Sequence, residues 1–243
     1  MTALSVNINK LALLRNSRGR NYPDLLQFAQ RFLTLGAHGI TVHPRPDERH
    51  VKFRDVPMLA EVVKAHAHAE FNIEGYPSEQ FIRMVCEVKP HQCTLVPDAD
   101  NQLTSDHGWD LRQHGDQLRD LIARLQAHGV RVALFLDPVP ALATEAARIG
   151  ADRIELYTEA YAAAFGSSRQ TQVLEPYRQT ALAAQQLGVG VNAGHDLDLM
   201  NLGEFLRIPG ILEVSIGHAL TVECIEQGME LVIGKYLQLC RAN

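Results

Sequence analysis

None of the four cysteines in this chain, Cys86, Cys93, Cys224 and Cys240, stands at C-x-x-C spacing from another. They read as small buried hydrophobes of a reducing compartment. No run approaches the ~20 continuous apolar residues of a membrane-spanning helix, and the opening MTALSVNINK has neither a basic region nor an apolar core, so no signal peptide is expected. A cytoplasmic location without a membrane partner follows as the expectation. Basic charge is also scarce and scattered: 23 Lys and Arg against 28 Asp and Glu give a net charge of −5. Without a basic stripe to neutralise a phosphate backbone, nucleic acid is excluded as a partner. No linker, low-complexity tract or charge block divides the chain.

What is present is a regular alternation. Short apolar runs at residues 4–8, 39–43, 70–74, 92–96, 131–137, 153–157, 189–192 and 213–216 read as strands. Amphipathic stretches at 23–35, 56–68, 79–88, 110–128, 141–149, 173–187 and 221–239 read as helices, several closed by a glycine just past the end. About eight β–α pairs in 243 residues predict one α/β domain spanning 1–243, a closed (β/α)₈ TIM barrel; an open doubly wound sheet is the alternative. The longest irregular stretches, 44–54 and 97–109, both follow strands and so belong at the C-terminal mouth.

The strands are not uniformly apolar, as strands buried on both faces usually are. Ile40 and Val42 alternate with Thr41 and His43, Phe71 and Ile73 with Asn72 and Glu74, Ile154 and Leu156 with Glu155 and Tyr157. With the apolar set against the helices, the polar set faces the barrel interior. His43, Glu74, Glu155 and His195 then fall at or just past strand C-termini, where barrel enzymes keep their active sites. A buried carboxyl with a raised pKa at Glu74 suits proton shuttling. Glu155 reads equally as a second functional carboxylate or as a charge partner. Glu70, at the start of its strand, belongs to the opposite end.

His43 opens His-Pro-Arg-Pro-Asp-Glu-Arg-His, in which Arg45 and His50 have the chemistry to grip a phosphate; a solvated charged loop is the plain alternative, and Arg49 carries no separate weight. Gly194-His195-Asp196 and Gly217-His218 follow the seventh and eighth strands, whose loops in many barrels bind phosphate through backbone N–H groups and a helix N-terminus. The remaining histidines read as surface residues. By residue type alone, His43, Glu74, Glu155 and His195 also suit Zn²⁺, Mn²⁺ or Mg²⁺, so a metal-dependent sugar-phosphate isomerase or aldolase stays open. So does a catalytically dead binder of sugar phosphates.

Five ordered motifs then add a resemblance that runs the length of the chain. Val6-Asn-Ile-Asn-Lys10, Leu14-Arg-Asn-Ser-Arg-Gly19, Gly39-Ile-Thr-Val-His43-Pro-Arg45, Asn192-Ala-Gly-His195 and Ile216-Gly-His-Ala219 resemble the pyridoxine 5′-phosphate synthase family. The resemblance implies a TIM barrel with additional helices, assembled as an octamer built from dimers. It also implies condensation of 1-deoxy-D-xylulose 5-phosphate with 3-amino-2-oxopropyl phosphate, without metal or organic cofactor. Carried over by motif, His43 and Glu74 are proton acceptors, His195 a proton donor, and Glu155 stabilises a charged transition state. Asn7, Gly217, His218 and the backbone at Asp196 hold the amino ketone phosphate; Arg45, His50 and Thr104 hold the deoxyxylulose phosphate; Arg18 closes over the site, in this family from a neighbouring subunit. Two positions depart from the familiar pattern. Asn9 and Lys10 stand among the substrate contacts where that pattern has Asp and His, and Asp196 stands where it has Gly.

Overall fold

Each predicted strand becomes one stave of a parallel barrel. The computed structural model describes residues 1–98 and 105–242. The first half runs β1 (Ala3–Asn7), α1 (Asn9–Asn16), α2 (Leu25–Thr34), β2 (Gly39–Val42), α3 (Asp55–Lys64), β3 (Glu70–Gly75), α4 (Glu79–Val88) and β4 (Gln92–Leu95). The second half runs α5 (Leu111–Gln126), β5 (Arg131–Leu136), α6 (Pro140–Arg148), β6 (Arg153–Tyr157), α7 (Glu159–Ala164), α8 (Gln170–Gln186), β7 (Gly190–His195), α9 (Leu202–Phe205), β8 (Ile211–Ile216), α10 (His218–Gln227) and α11 (Met229–Arg241). Each strand pairs in parallel with its sequence neighbours, and β8 returns to β1 through Leu4 opposite Val214, which closes the sheet.

The alternation read from sequence holds in three dimensions. Leu4, Val6, Ile40, Val42, Phe71, Ile73, Ile154 and Leu156 are buried in the layer between strands and helices. That layer supplies most of the stabilising burial, at roughly 25 cal/mol per Å² of apolar surface. α2 shows the local logic: Asp24 accepts hydrogen bonds from the Leu26 and Gln27 amides and starts the helix, whose Leu25, Ala29, Phe32 and Leu33 face inward.

The polar set fills the barrel as two hydrogen-bonded layers. Toward the N-terminal end Arg131 pairs with Glu70 and donates to Gln92 (3.1 Å), Gln92 donates to Glu213 (3.3 Å), and Arg153 donates to Asn192 (3.1 Å). Above it, Thr41, Asn72 and Thr94 link to one another, and Thr94 donates to Glu155 (3.2 Å). Buried polar groups that partner one another in this way avoid the cost of leaving water unpaired.

The helix expected over 221–239 is two helices. Gly228, at φ +91°, breaks it into α10 and α11, a backbone turn that glycine takes without strain. Three helices were not anticipated. α7 and α9 span six and four residues, too few to show a period. In α1 the exposed Leu13 and Leu14 follow the buried Leu11 and Ala12, which blurs the apolar stripe.

Candidate active site at the barrel mouth

The C-terminal ends of the strands surround a chamber of about 450 Å³. Its walls carry Asn7, Asn9, Lys10, His43, Arg45, His50, Glu74, His195, Asp196, Gly217 and His218, so most positions singled out in the sequence meet here. Leu13, Arg49, Ser105 and Ser215 also line it.

Three strands deliver the acid–base groups. His43 and Glu74 continue the inward faces begun by Thr41 on β2 and Asn72 on β3. His195 arrives differently. On β7, Asn192 bonds to Gln92 in the interior while Val191 and Ala193 are buried in the outer apolar layer, so strict alternation would send residue 195 outward. Instead His195 has φ +92°, and this rare conformation for a side-chain-bearing residue places its ring on the chamber wall.

Electrostatics set these groups apart. Burial, then the Arg45 and Arg49 guanidinium groups, push His43 down to about 3, so its imidazole is neutral at physiological pH. Asp98 Oδ2 lies 4.0 Å from His43 Nε2, beyond hydrogen-bond reach. His50, whose ring meets that of His43 at 5.9 Å between centroids, is likewise pushed down to about 3 by burial, His43 and Arg45. Glu74 goes the other way: burial and the Glu155, Asp98 and Glu213 carboxylates hold it well above the usual carboxylate range. Asn7 Nδ2 donates to Glu74 Oε2 (3.3 Å), and the Ser215 hydroxyl faces the same carboxyl.

Two regions of the wall suit anions. On one side stand Lys10, Arg45, Arg49 and His50, with Arg45 fixed by donation to Asp98 (2.6 Å). On the other, α10 begins at Gly217 and His218 and presents its unpaired N-terminal amides to the chamber. Gly217 packs so closely on Asn7 that a Cβ there would lie 3.1 Å from the Asn7 Cβ and carbonyl.

The two unusual positions take defined places. Asn9 Oδ1 accepts from the His43 backbone amide (2.9 Å) and its own amide donates to Asn7 Oδ1 (3.1 Å), so Asn9 ties β1 to β2 beneath the chamber. The Asp196 carboxylate turns to His195 Nδ1 (2.6 Å), while its backbone amide donates to Thr158 Oγ1 (3.2 Å).

Two predicted residues, Glu155 and Arg18, are not brought to the chamber within one chain. Glu155 sits a layer below, 3% exposed, where burial and Glu213 push it up to about 8; it acts on Glu74 through space rather than lining the wall. Arg18 lines a separate cavity of about 480 Å³ with Arg20, Asp24, Lys52 and Arg54. Thr104 lies outside the described residues. Sequence reading missed Asp98 and Ser105, both buried, which meet when Ser105 Oγ donates to Asp98 Oδ2 (2.8 Å). Their placement in the 97–109 stretch at the mouth was the available signal. Among the described residues, no three His, Cys, Asp or Glu side chains are grouped to hold one metal ion.

Comparison with known proteins adds an independent line. A family profile described as "Pyridoxal phosphate biosynthesis protein PdxJ" matches residues 4–242. The chain is 50% identical over 242 residues to pyridoxine 5′-phosphate synthase of Christiangramia forsetii, covering 99% of this chain and 100% of that one. It is 48% identical over 250 residues to the enzyme of that name from Xanthomonas oryzae pv. oryzae, covering 100% and 98%. Among solved structures, phosphoribosyl anthranilate isomerase from Thermus thermophilus superposes with a TM-score of 0.61 at 14% identity, over 98% of this chain and 100% of that one. That likeness is one of fold.

Proposed function

This chain belongs to the pyridoxal phosphate biosynthesis protein PdxJ family, and from that premise we propose how its mouth chamber carries out the chemistry. The chain is an enzyme of vitamin B6 biosynthesis with the activity of a pyridoxine 5′-phosphate synthase, acting on phosphorylated small molecules. In our reading residues 1–243 work as one catalytic domain that joins 1-deoxy-D-xylulose 5-phosphate to 3-amino-2-oxopropyl phosphate. The observation that carries this is the convergence of His43, Glu74 and His195 from three strands onto one chamber with an anion-binding region on either side.

The amino ketone phosphate sits at the α10 N-terminus with Asn7, Gly217 and His218; the Asp196 amide, expected from the sequence to join them, is committed to Thr158 Oγ1 instead. The deoxyxylulose phosphate sits against Arg45 and His50, with Lys10 supplying a further cation. Holding both phosphates fixes two reactants in one geometry. The substrate amine attacks the ketone to give a Schiff base, phosphate leaves, and an aldol-type closure followed by loss of water completes the ring.

The charges support this order. A bound phosphate, carrying about −1.5 to −2 charges, offsets Arg45 and Arg49 and restores basicity to His43. Glu74 gives its proton to the carbinolamine hydroxyl, which leaves as water as the iminium forms; the resulting carboxylate, stabilised by that positive charge, then takes a proton from carbon and passes it to oxygen. Glu155 keeps Glu74 poised between its two states and, once ionised, stabilises the positive charge of the transition state from below. His195 delivers the proton to the departing oxygen.

The deciding experiment mixes the two substrates with purified protein in the presence of a strong chelator and assays for pyridoxine 5′-phosphate. Product at an undiminished rate supports this reading. Activity restored only by added divalent metal would favour the metal-dependent isomerase or aldolase instead. The assembly we propose is an octamer built from dimers, for which sedimentation velocity is the direct measurement.

A further inference from the structure

We propose that the Asp196 side chain is a positioning residue for His195: its carboxylate keeps a proton on Nδ1, so that only Nε2 exchanges protons with substrate. This rests on the reading of His195 as the group that hands over a proton. The carboxylate oxygen lies 2.6 Å from Nδ1, the short distance of a charge-assisted hydrogen bond.

The surroundings leave little freedom at either partner. The Asp196 amide donates to Thr158 Oγ1 (3.2 Å), Thr158 Oγ1 donates to the Gly194 carbonyl (2.7 Å), and Asn201 donates to the Asp196 carbonyl (3.2 Å). The residues on both sides of the imidazole are therefore held by one buried threonine. The Tyr157 ring meets the imidazole nearly edge-on, 5.2 Å between centroids and 87° between planes, and limits its rotation. The φ of +92° at His195 is a strained backbone that persists only where the surroundings over-determine it.

A carboxylate aimed into the chamber would oppose a phosphate there; this one is turned onto the imidazole. A histidine with one nitrogen held by a carboxylate presents a single tautomer and orientation at the other. Starting as imidazolium, His195 gives its Nε2 proton to a departing hydroxyl, which leaves as water. The imidazole is then neutral, with Nδ1–H still on Asp196, and the Nε2 lone pair takes the next proton released by substrate. Nothing is oxidised or reduced, and the ring returns to its starting state.

The test uses the full-length enzyme and three variants, Asp196→Asn, Asp196→Glu and His195→Asn. For Asp196→Asn we expect kcat to fall by about 10²-fold, with KM for both substrates within about twofold of the parent. Asp196→Glu should recover part of the loss. In ¹⁵N-resolved spectra of the ligand-free parent, assigned by the signal missing from His195→Asn, the neutral His195 ring should carry its proton on Nδ1, and Asp196→Asn should lose that preference. Parental kcat in Asp196→Asn, a rise in KM alone, or a parent ring protonated on Nε2 when neutral would each overturn the proposal; the last needs no variant of Asp196 to fold. Turnover retained in His195→Asn would instead remove the reading on which it stands.

Discussion

Glu74 keeps a carboxyl group where burial and three other carboxylates all oppose its ionisation. Glutamine at that position preserves the shape and the hydrogen-bond acceptor for Asn7 but cannot exchange a proton. Glu74→Gln is therefore expected to lose about 10²–10⁴-fold in turnover while binding deoxyxylulose phosphate much as before, measured by product assay and calorimetry; near-parental turnover removes Glu74 from the mechanism. His43 and His50 allow a second forecast. Both have folded-state values near 3 against an ordinary 6.5, so below 6.5 the unfolded chain takes up protons that the folded chain refuses. Their contribution to stability is full above 6.5 and is lost as pH falls toward 3. Glu155 acts with the opposite sign: raised from 4.5 to about 8, it contributes fully below 4.5 and loses that contribution as pH rises through 8. The two oppose each other between 4.5 and 6.5, so the steep acid loss should come below 4.5, and urea midpoints of a His43→Asn/His50→Asn variant should decline less there than those of the parent. At this scale His43 and Glu74 were legible because they obey strand alternation. His195 breaks it and was found only by its neighbouring glycine and its motif. Asp98 was not legible, since its partners Arg45 and Ser105 come from two different stretches of chain.

At the scale of elements, β7 carries the tightest constraint. A Cβ on Gly194 would lie 2.5 Å from Glu155 Oε1 and 2.9 Å from the Ser215 carbonyl, so one residue spaces β7, the buried carboxylate and β8. Gly194→Ala must displace Glu155 or widen the β7–β8 pairing. We expect a loss of about 1–3 kcal/mol from overpacking, read from urea unfolding, together with reduced turnover because the displaced carboxylate no longer sits beneath Glu74. Parental stability would show that the strands yield freely at this point. The strand positions were readable because apolar and polar residues alternate over four or more positions in most staves. The ends of β7 were not, since Gly190, Gly194 and His195 carry no apolar signal. The split between α10 and α11 was hidden because apolar residues continue on both sides of Gly228, and only its φ of +91° reveals the break.

For the molecule as a whole, closure of the barrel was the most legible property: about eight β–α units in a chain this short leave few other ways to bury both faces of a parallel sheet. What one chain does not display is the role of Arg18. It lines a cavity apart from the chamber, between α1, α2 and α3, with exposed Tyr22 and Met58 near by. For its guanidinium to close over a phosphate in the chamber, as the family resemblance implies, we propose that it comes from a second copy. That requirement separates the two sites genetically. Arg18→Ala should inactivate the enzyme by removing a group given to a neighbour, and His195→Asn by removing one the chain keeps. Mild dissociation and reassembly of the two inactive proteins would then create some sites with His195 from one copy and Arg18 from another, and product formation should return. Copurification of differently tagged copies checks that exchange took place. If mixed assemblies form and remain as inactive as either parent variant, Arg18 does not act across the subunit boundary, and the proposed closure over the substrates fails with it.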